Sequence, residues 1–83
     1  MPEVEIGTVT DFFARPVVAG IKLSQTLKVG DRIHIHGHTT DVETTVESMQ
    51  LDNVNVTQAT AGQIIGVKVT DRVRPGDHVY KVT

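Results

Sequence analysis

Eighty-three residues allow one domain around one core, so residues 1–83 are read as a single unit. Hydrophobic residues make up 39% of the chain, but it has no Cys and only Phe12, Phe13 and Tyr80 as aromatics, so its core must be built from Val, Ile and Leu. A net charge of −2 argues against the basic excess on which dedicated nucleic-acid binders usually depend, and leaves room for a local basic face.

The N-terminal residues Met1-Pro2-Glu3-Val4-Glu5 are acidic and lack an apolar signal core. No apolar run approaches the ~20 residues that a membrane-crossing helix needs. A cytoplasmic protein without a membrane partner is the expectation. The first strand is predicted from Glu5 to Phe13. Ile6, Thr8, Thr10 and Phe12 fall on one side of it, Gly7, Val9, Asp11 and Phe13 on the other. Neither side is cleanly apolar, which leaves open which Phe is buried. Gly7 suits a bend or a close backbone approach, and Arg15-Pro16 breaks the ladder because Pro has no N–H to donate.

Val17 to Leu23 is the second predicted strand, with Ala19, Ile21 and Leu23 inward, Lys22 outward and Gly20 a second bend. Lys28-Val29-Gly30-Asp31 then reads as a tight turn, since Gly accepts positive φ and Asp bonds nearby backbone. It launches the third strand, Arg32 to His36, with Ile33 and Ile35 on one face. The same grammar returns at Gly76-Asp77, ahead of a last strand from His78 to Val82.

The fourth strand, Asp41 to Leu51, carries a defect. Val42, Thr44 and Val46 share one parity, Met49 and Leu51 the other. A β-bulge near Glu47-Ser48 would restore one inward face. Asp52 to Gly62 is predicted as a connection, with room for a short helical turn, in which Val54, Val56, Ala59 and Ala61 tuck against the core. Gln63 to Val69 is the fifth strand, with Ile65, Val67 and Val69 inward and Gly66 of opposite parity; Thr70 to Pro75 is charged and exposed. Six strands joined by turns predict an all-β fold, a small closed Greek-key barrel, with Ile21, Leu23, Ile33, Ile35, Ile65, Val67 and Val69 in its core.

Gly7-Thr8-Val9, Lys28-Val29-Gly30-Asp31, Ser48-Met49-Gln50, Ala61-Gly62, Gly66-Val67 and Gly76-Asp77 follow one another in an order that resembles the second domain of elongation factor Tu type GTPases. Gly37-His38-Thr39-Thr40-Asp41 and Thr45-Val46-Glu47-Ser48-Met49-Gln50 are similar to the small C-terminal barrel of collagenase-like peptidases. The first resemblance implies a translation-factor barrel that packs on a larger body and helps hold the acceptor end of transfer RNA. The second implies a companion of peptidase type. Neither supplies a site here: the chain has no Gly-x-x-x-x-Gly-Lys-Ser/Thr loop for nucleotide phosphates, and a shared fold does not carry function with it.

His34, His36 and His38 invite a metal reading, because a His-x-His pair shares a strand face and zinc takes three or four such ligands. His38 follows Gly37 in a turn, however, and no Cys is available, so solvent-facing strand residues are the better account and no metal or cofactor is expected. In the peptidase resemblance only the position of His38 belongs to the recurring stretch. Ser24 and Ser48 sit in no nucleophile turn, which argues against an enzyme. Lys22, Lys28 and Arg32 can form one cationic edge, and Arg72 and Arg74 a second. Together with the three histidines they are the candidate contacts for a protein partner, or for weak RNA binding. The chain thus reads as a non-catalytic binding module.

Overall fold

The computed structural model describes residues 3–14 and 17–82, all strand, turn and loop with no helix. Ten strands replace the expected six: β1 Glu3–Ala14, β2 Val17–Leu23, β3 Leu27–Lys28, β4 Arg32–His36, β5 Asp41–Thr45, β6 Met49–Leu51, β7 Val54–Val56, β8 Gln58–Ala59, β9 Ile64–Lys68 and β10 His78–Val82. Eight form one antiparallel sheet in the order β5-β4-β10-β1-β2-β9-β6-β7, and β3 pairs with β8 in a second. Among the described residues no ladder joins β5 to β7, so the sheet has two ends. The segment after β3 touches both: Gly30 N–H donates to Val46 O beyond β5, and Val29 N–H to Thr57 O beyond β7.

The strand that defied a parity reading is β1, and its ladders show why. Its register slips between Glu5 and Gly7 against β10, and between Val9 and Asp11 against β2. Each slip reverses which side of the strand faces the core. Ile6 and Val9 are therefore buried, Phe12 packs against the core, and Phe13 is 57% exposed. At Gly7 a Cβ would lie 2.6 Å from Lys22 O, so the two backbones meet there as closely as the bend requires. The Arg15-Pro16 break lies outside the described residues.

The Gly-Asp turns are built alike. In Lys28–Asp31 the last N–H returns to Lys28 O, Gly30 has φ 98°, and Asp31 Oδ2 accepts from Lys28 N–H. In Arg74–Asp77 the same bonds recur, with Gly76 at φ 95° and Asp77 Oδ2 accepting from Arg74 N–H. A third copy, which the sequence reading passed over, is Thr60–Gln63, where Gln63 Oε1 takes the place of the Asp carboxylate. Each positive-φ Gly followed by a side chain that caps its own turn feeds a strand: β4, β9 and β10.

Three other expectations change. The parity defect of residues 41–51 is a break between β5 and β6, not a bulge; β5 pairs with β4, while β6 crosses to β9 and β7. Val46 and Met49 are buried on either side of that break. Residues 52–62 contain no helical turn. Asp52 and Asn53, at φ 53° and 65°, make the two-residue hairpin turn between β6 and β7. Val54 and Ala61 there face solvent, and only Ala59 is fully buried, with Val56 partly so. The 70–75 loop, expected to be exposed throughout, sends Val73 into the core at 1% exposure. All seven expected core residues are buried.

Candidate interaction surface

Away from the two slips in β1, register partners on neighbouring strands point to the same side, so the sheet presents an outer face that can be read row by row. Its two halves differ in chemistry. Over β5-β4-β10-β1 the ladders set Asp41, His36, His78 and Thr8 in one row, and Glu43, His34, Tyr80 and Glu5 in the next. His34 lies between two carboxylates: Nδ1 is 2.9 Å from Glu3 Oε2, and Nε2 bonds Asp41 Oδ1. A carboxylate at each ring nitrogen favours the imidazolium, the form that can donate from both. The bond to Asp41 is the main cause that raises the His34 pKa above its ordinary 6.5; burial opposes it, and Glu3 adds to it. His78 Nδ1 pairs likewise with Glu5 Oε2.

In that form, with both nitrogens donating, His34 acts neither as a base nor as a metal ligand. Among the described residues no group of three or more His, Asp or Glu is placed to hold a metal ion. This half of the sheet is a clamp tying the start of β1 to β4 and β5.

The other half is a trough. Gly20 and Gly66 are register partners on β2 and β9, both on the outer side, and the row continues to Asp11 on β1 and to Gln50 on β6. Phe13 and Val18 stand on one side of this floor, and Ile64 with the Asp52-Asn53 turn on the other, around a depression of about 580 Å³. Ile64 is 54% exposed, a large apolar side chain in water beside a glycine floor.

The structure scatters the first expected cationic edge. Lys22 stands in the row of Thr8 and Ile64, Arg32 in the row of Thr45 and Val82, and Lys28 on β3 opposite Gln58. Three strand spacings and four residues of rise put the Lys22 and Arg32 backbones ~20 Å apart. Arg32 is also engaged, its Nε 2.5 Å from Glu43 Oε1. The second group holds together better. Arg72 and Arg74 share one loop, with the Arg72 guanidinium 5.9 Å from the Phe12 ring centroid, and His38 lines a depression with Arg74 and His78. Asp71 and Asp11 border the same loop and dilute its charge. Of the three histidines singled out, His34 and His36 share a face, their rings 5.7 Å apart, while His38 lies apart in the β4–β5 loop.

Sequence reasoning missed His78 as their neighbour and missed the trough. Gly20 and Gly66 both show outward parity in the sequence, but only the β2–β9 register brings them side by side.

The chain is 46% identical over 79 residues to the uncharacterized protease MJ0090 of Methanocaldococcus jannaschii, a match covering 94% of this chain and 19% of that protein. It is 36% identical over 81 residues to a collagenase of Porphyromonas gingivalis, covering 95% of this chain and 20% of the collagenase. The chain thus spans about a fifth of the length of the curated relatives it matches. Among solved structures, the C-terminal domain of a candidate U32 peptidase from Geobacillus thermoleovorans superposes with a TM-score of 0.88 at 17% identity, covering 94% of this chain and 91% of that domain. That likeness establishes a shared fold. No protein-family model matches the chain.

Proposed function

We propose that this chain is a non-catalytic module that docks onto the larger body of a peptidase-like protein. The observation that carries the reading is the size of the match: a protease and a collagenase each resemble the chain over about a fifth of their length. The remaining four-fifths of such a protein would hold the reacting groups. On the outer face described above, both ring nitrogens of the central His34 face carboxylates rather than a hydroxyl that a base could activate. A single unit over residues 1–83, working in the cytoplasm and closed into a translation-factor-like barrel through residues 27–31, fits this reading. The bonds from Val29 and Gly30 to the two ends of the sheet support that closure.

Transfer RNA is the second reading, favoured by the clustering of Arg72, Arg74 and His38 at one end of the domain. Two or three phosphate contacts there give a log–log salt slope of about −2 to −3, too few contacts for tight binding at physiological salt. Capture on the tagged chain from native cells, with and without RNase, tests the two together. The docking reading expects a peptidase-like protein, identified by mass spectrometry, to be retained after RNase. Capture lost on RNase treatment, with transfer RNA binding that survives high salt and falls in Arg72→Ala or Arg74→Ala, would replace docking by RNA recognition.

A further inference from the structure

We infer that the Gly20–Gly66 trough is the docking surface itself, and that its occupant is an apolar side chain flanked by Lys or Arg on the body of the peptidase-like partner. This rests on the docking reading above. Outward positions in the middle of a sheet are ordinarily filled by β-branched or polar residues, because Gly there gives up both side-chain packing and backbone entropy. Here two glycines stand in register. A Cβ at Gly66 would meet no backbone atom, only Val18 Cγ1 at 3.3 Å, which a small shift of that side chain relieves; at Gly20 it would crowd Asp11 Cβ at 3.2 Å and Thr10 Oγ1 at 3.3 Å, so it is at Gly66 that glycine keeps the floor low without a backbone contact demanding it.

The walls agree with an apolar guest. Phe13 and Ile64 are 57% and 54% exposed on opposite sides of the floor. These are two of the five most exposed large hydrophobic residues among those described, and both stand over this half of the outer face. The rim selects charge. Asp11 at one end and Asp52 at the hairpin turn line the trough, and neither is in an ion pair among the described residues. A cation beside the inserted group would pair with them as the trough is desolvated. The size of the relatives supplies the covering body, since each carries some four-fifths of its length beyond the matching segment.

The absence of Cys from the chain makes the test direct. Single cysteines are placed at Phe13 and Ile64 on the trough, at Thr45 on the far outer strand, and at Arg74 on the basic loop. Each variant is compared as the isolated chain and as a chimera in which it replaces the matching 79 residues of the M. jannaschii protease. Maleimide labelling rates are read by mass spectrometry. Phe13→Cys and Ile64→Cys should label at least about tenfold more slowly in the chimera, while Thr45→Cys and Arg74→Cys keep their rates. Protection at Thr45→Cys or Arg74→Cys instead would place docking elsewhere and overturn the trough alone. Equal rates at all four positions, or a chimera that does not fold around so similar a segment, would overturn the docking reading itself. Within a folded chimera, Asp11→Asn with Asp52→Asn should raise Ile64→Cys labelling severalfold; no change would remove the cationic neighbour from the proposal.

Discussion

The substitution Gly37→Ala probes the joint between the β4–β5 loop and the last Gly-Asp turn. Gly37 does not lie in the left-handed region, so Ala brings only its methyl group. That methyl would fall on the Asp77 carboxyl, overlapping Oδ1 and lying 2.5 Å from Cγ. Asp77 is 7% exposed, and its Oδ2 accepts a 2.9 Å bond from Arg74 N–H. To make room the carboxylate must swing away and surrender that bond. A charge-assisted bond contributes about 1.5–3 kcal/mol, and an 83-residue domain holds about 4–12 kcal/mol in all, so the loss is readily measured. Asp77→Ala removes the same bond directly and should cost a similar amount. In the double variant the overlapping atoms are gone; what remains is a tight 3.3 Å approach to the Cβ of residue 77. The double variant should therefore be about as stable as Asp77→Ala alone, a coupling of about 1.5–3 kcal/mol against additivity. Urea unfolding followed by far-UV circular dichroism gives all four corners of the cycle. Additive losses would refute the proposed contact.

Ile35, fully buried between Val42 and Val79 on the neighbouring strands, should cost about 2–5 kcal/mol as Ile35→Ala, whereas exposed Phe13→Ala should change unfolding by no more than ~0.5 kcal/mol. Because the folded pKa of His34 is raised, its clamp stabilises fully below the unfolded value of 6.5 and is lost as pH rises through the folded value. The wild type should thus lose urea resistance from about pH 6 upward relative to His34→Asn, in which Glu3 and Asp41 have no titrating partner between them; parallel pH profiles would contradict the clamp. Asn53→Val, forcing a β-branched residue to φ 65°, should destabilise by about 1–2 kcal/mol, and Asn53→Gly should not.

Periodicity made most of the fold legible. The inward parity of Ile21, Ile33, Ile35, Ile65 and Val67 is carried by uninterrupted strands, and all are buried. The chain was opaque wherever the register slips. In β1 two slips within seven residues cancel the alternation that would have separated Phe12 from Phe13. At residues 46–48 a strand that looks continuous changes partners, and a lone parity switch cannot tell a bulge from a crossing. The turns were readable because a positive φ and a capping side chain leave a local signature; Thr60–Gln63 escaped because Gln does what Asp does elsewhere. The trough was hidden for a different reason. It is made by residues of four strands and one hairpin turn, each of which contributes one to three unremarkable positions.

The central claim, docking on a peptidase-like body, is tested most directly by sedimentation velocity with two forms of the M. jannaschii protease. One is intact; the other lacks the 79 residues that match this chain. Fluorescently labelled chain should co-sediment with the shortened protein at one to one, and should remain free in the presence of the intact one, whose own segment already fills the place. Free chain in both mixtures, with the shortened protein folded, would contradict the account.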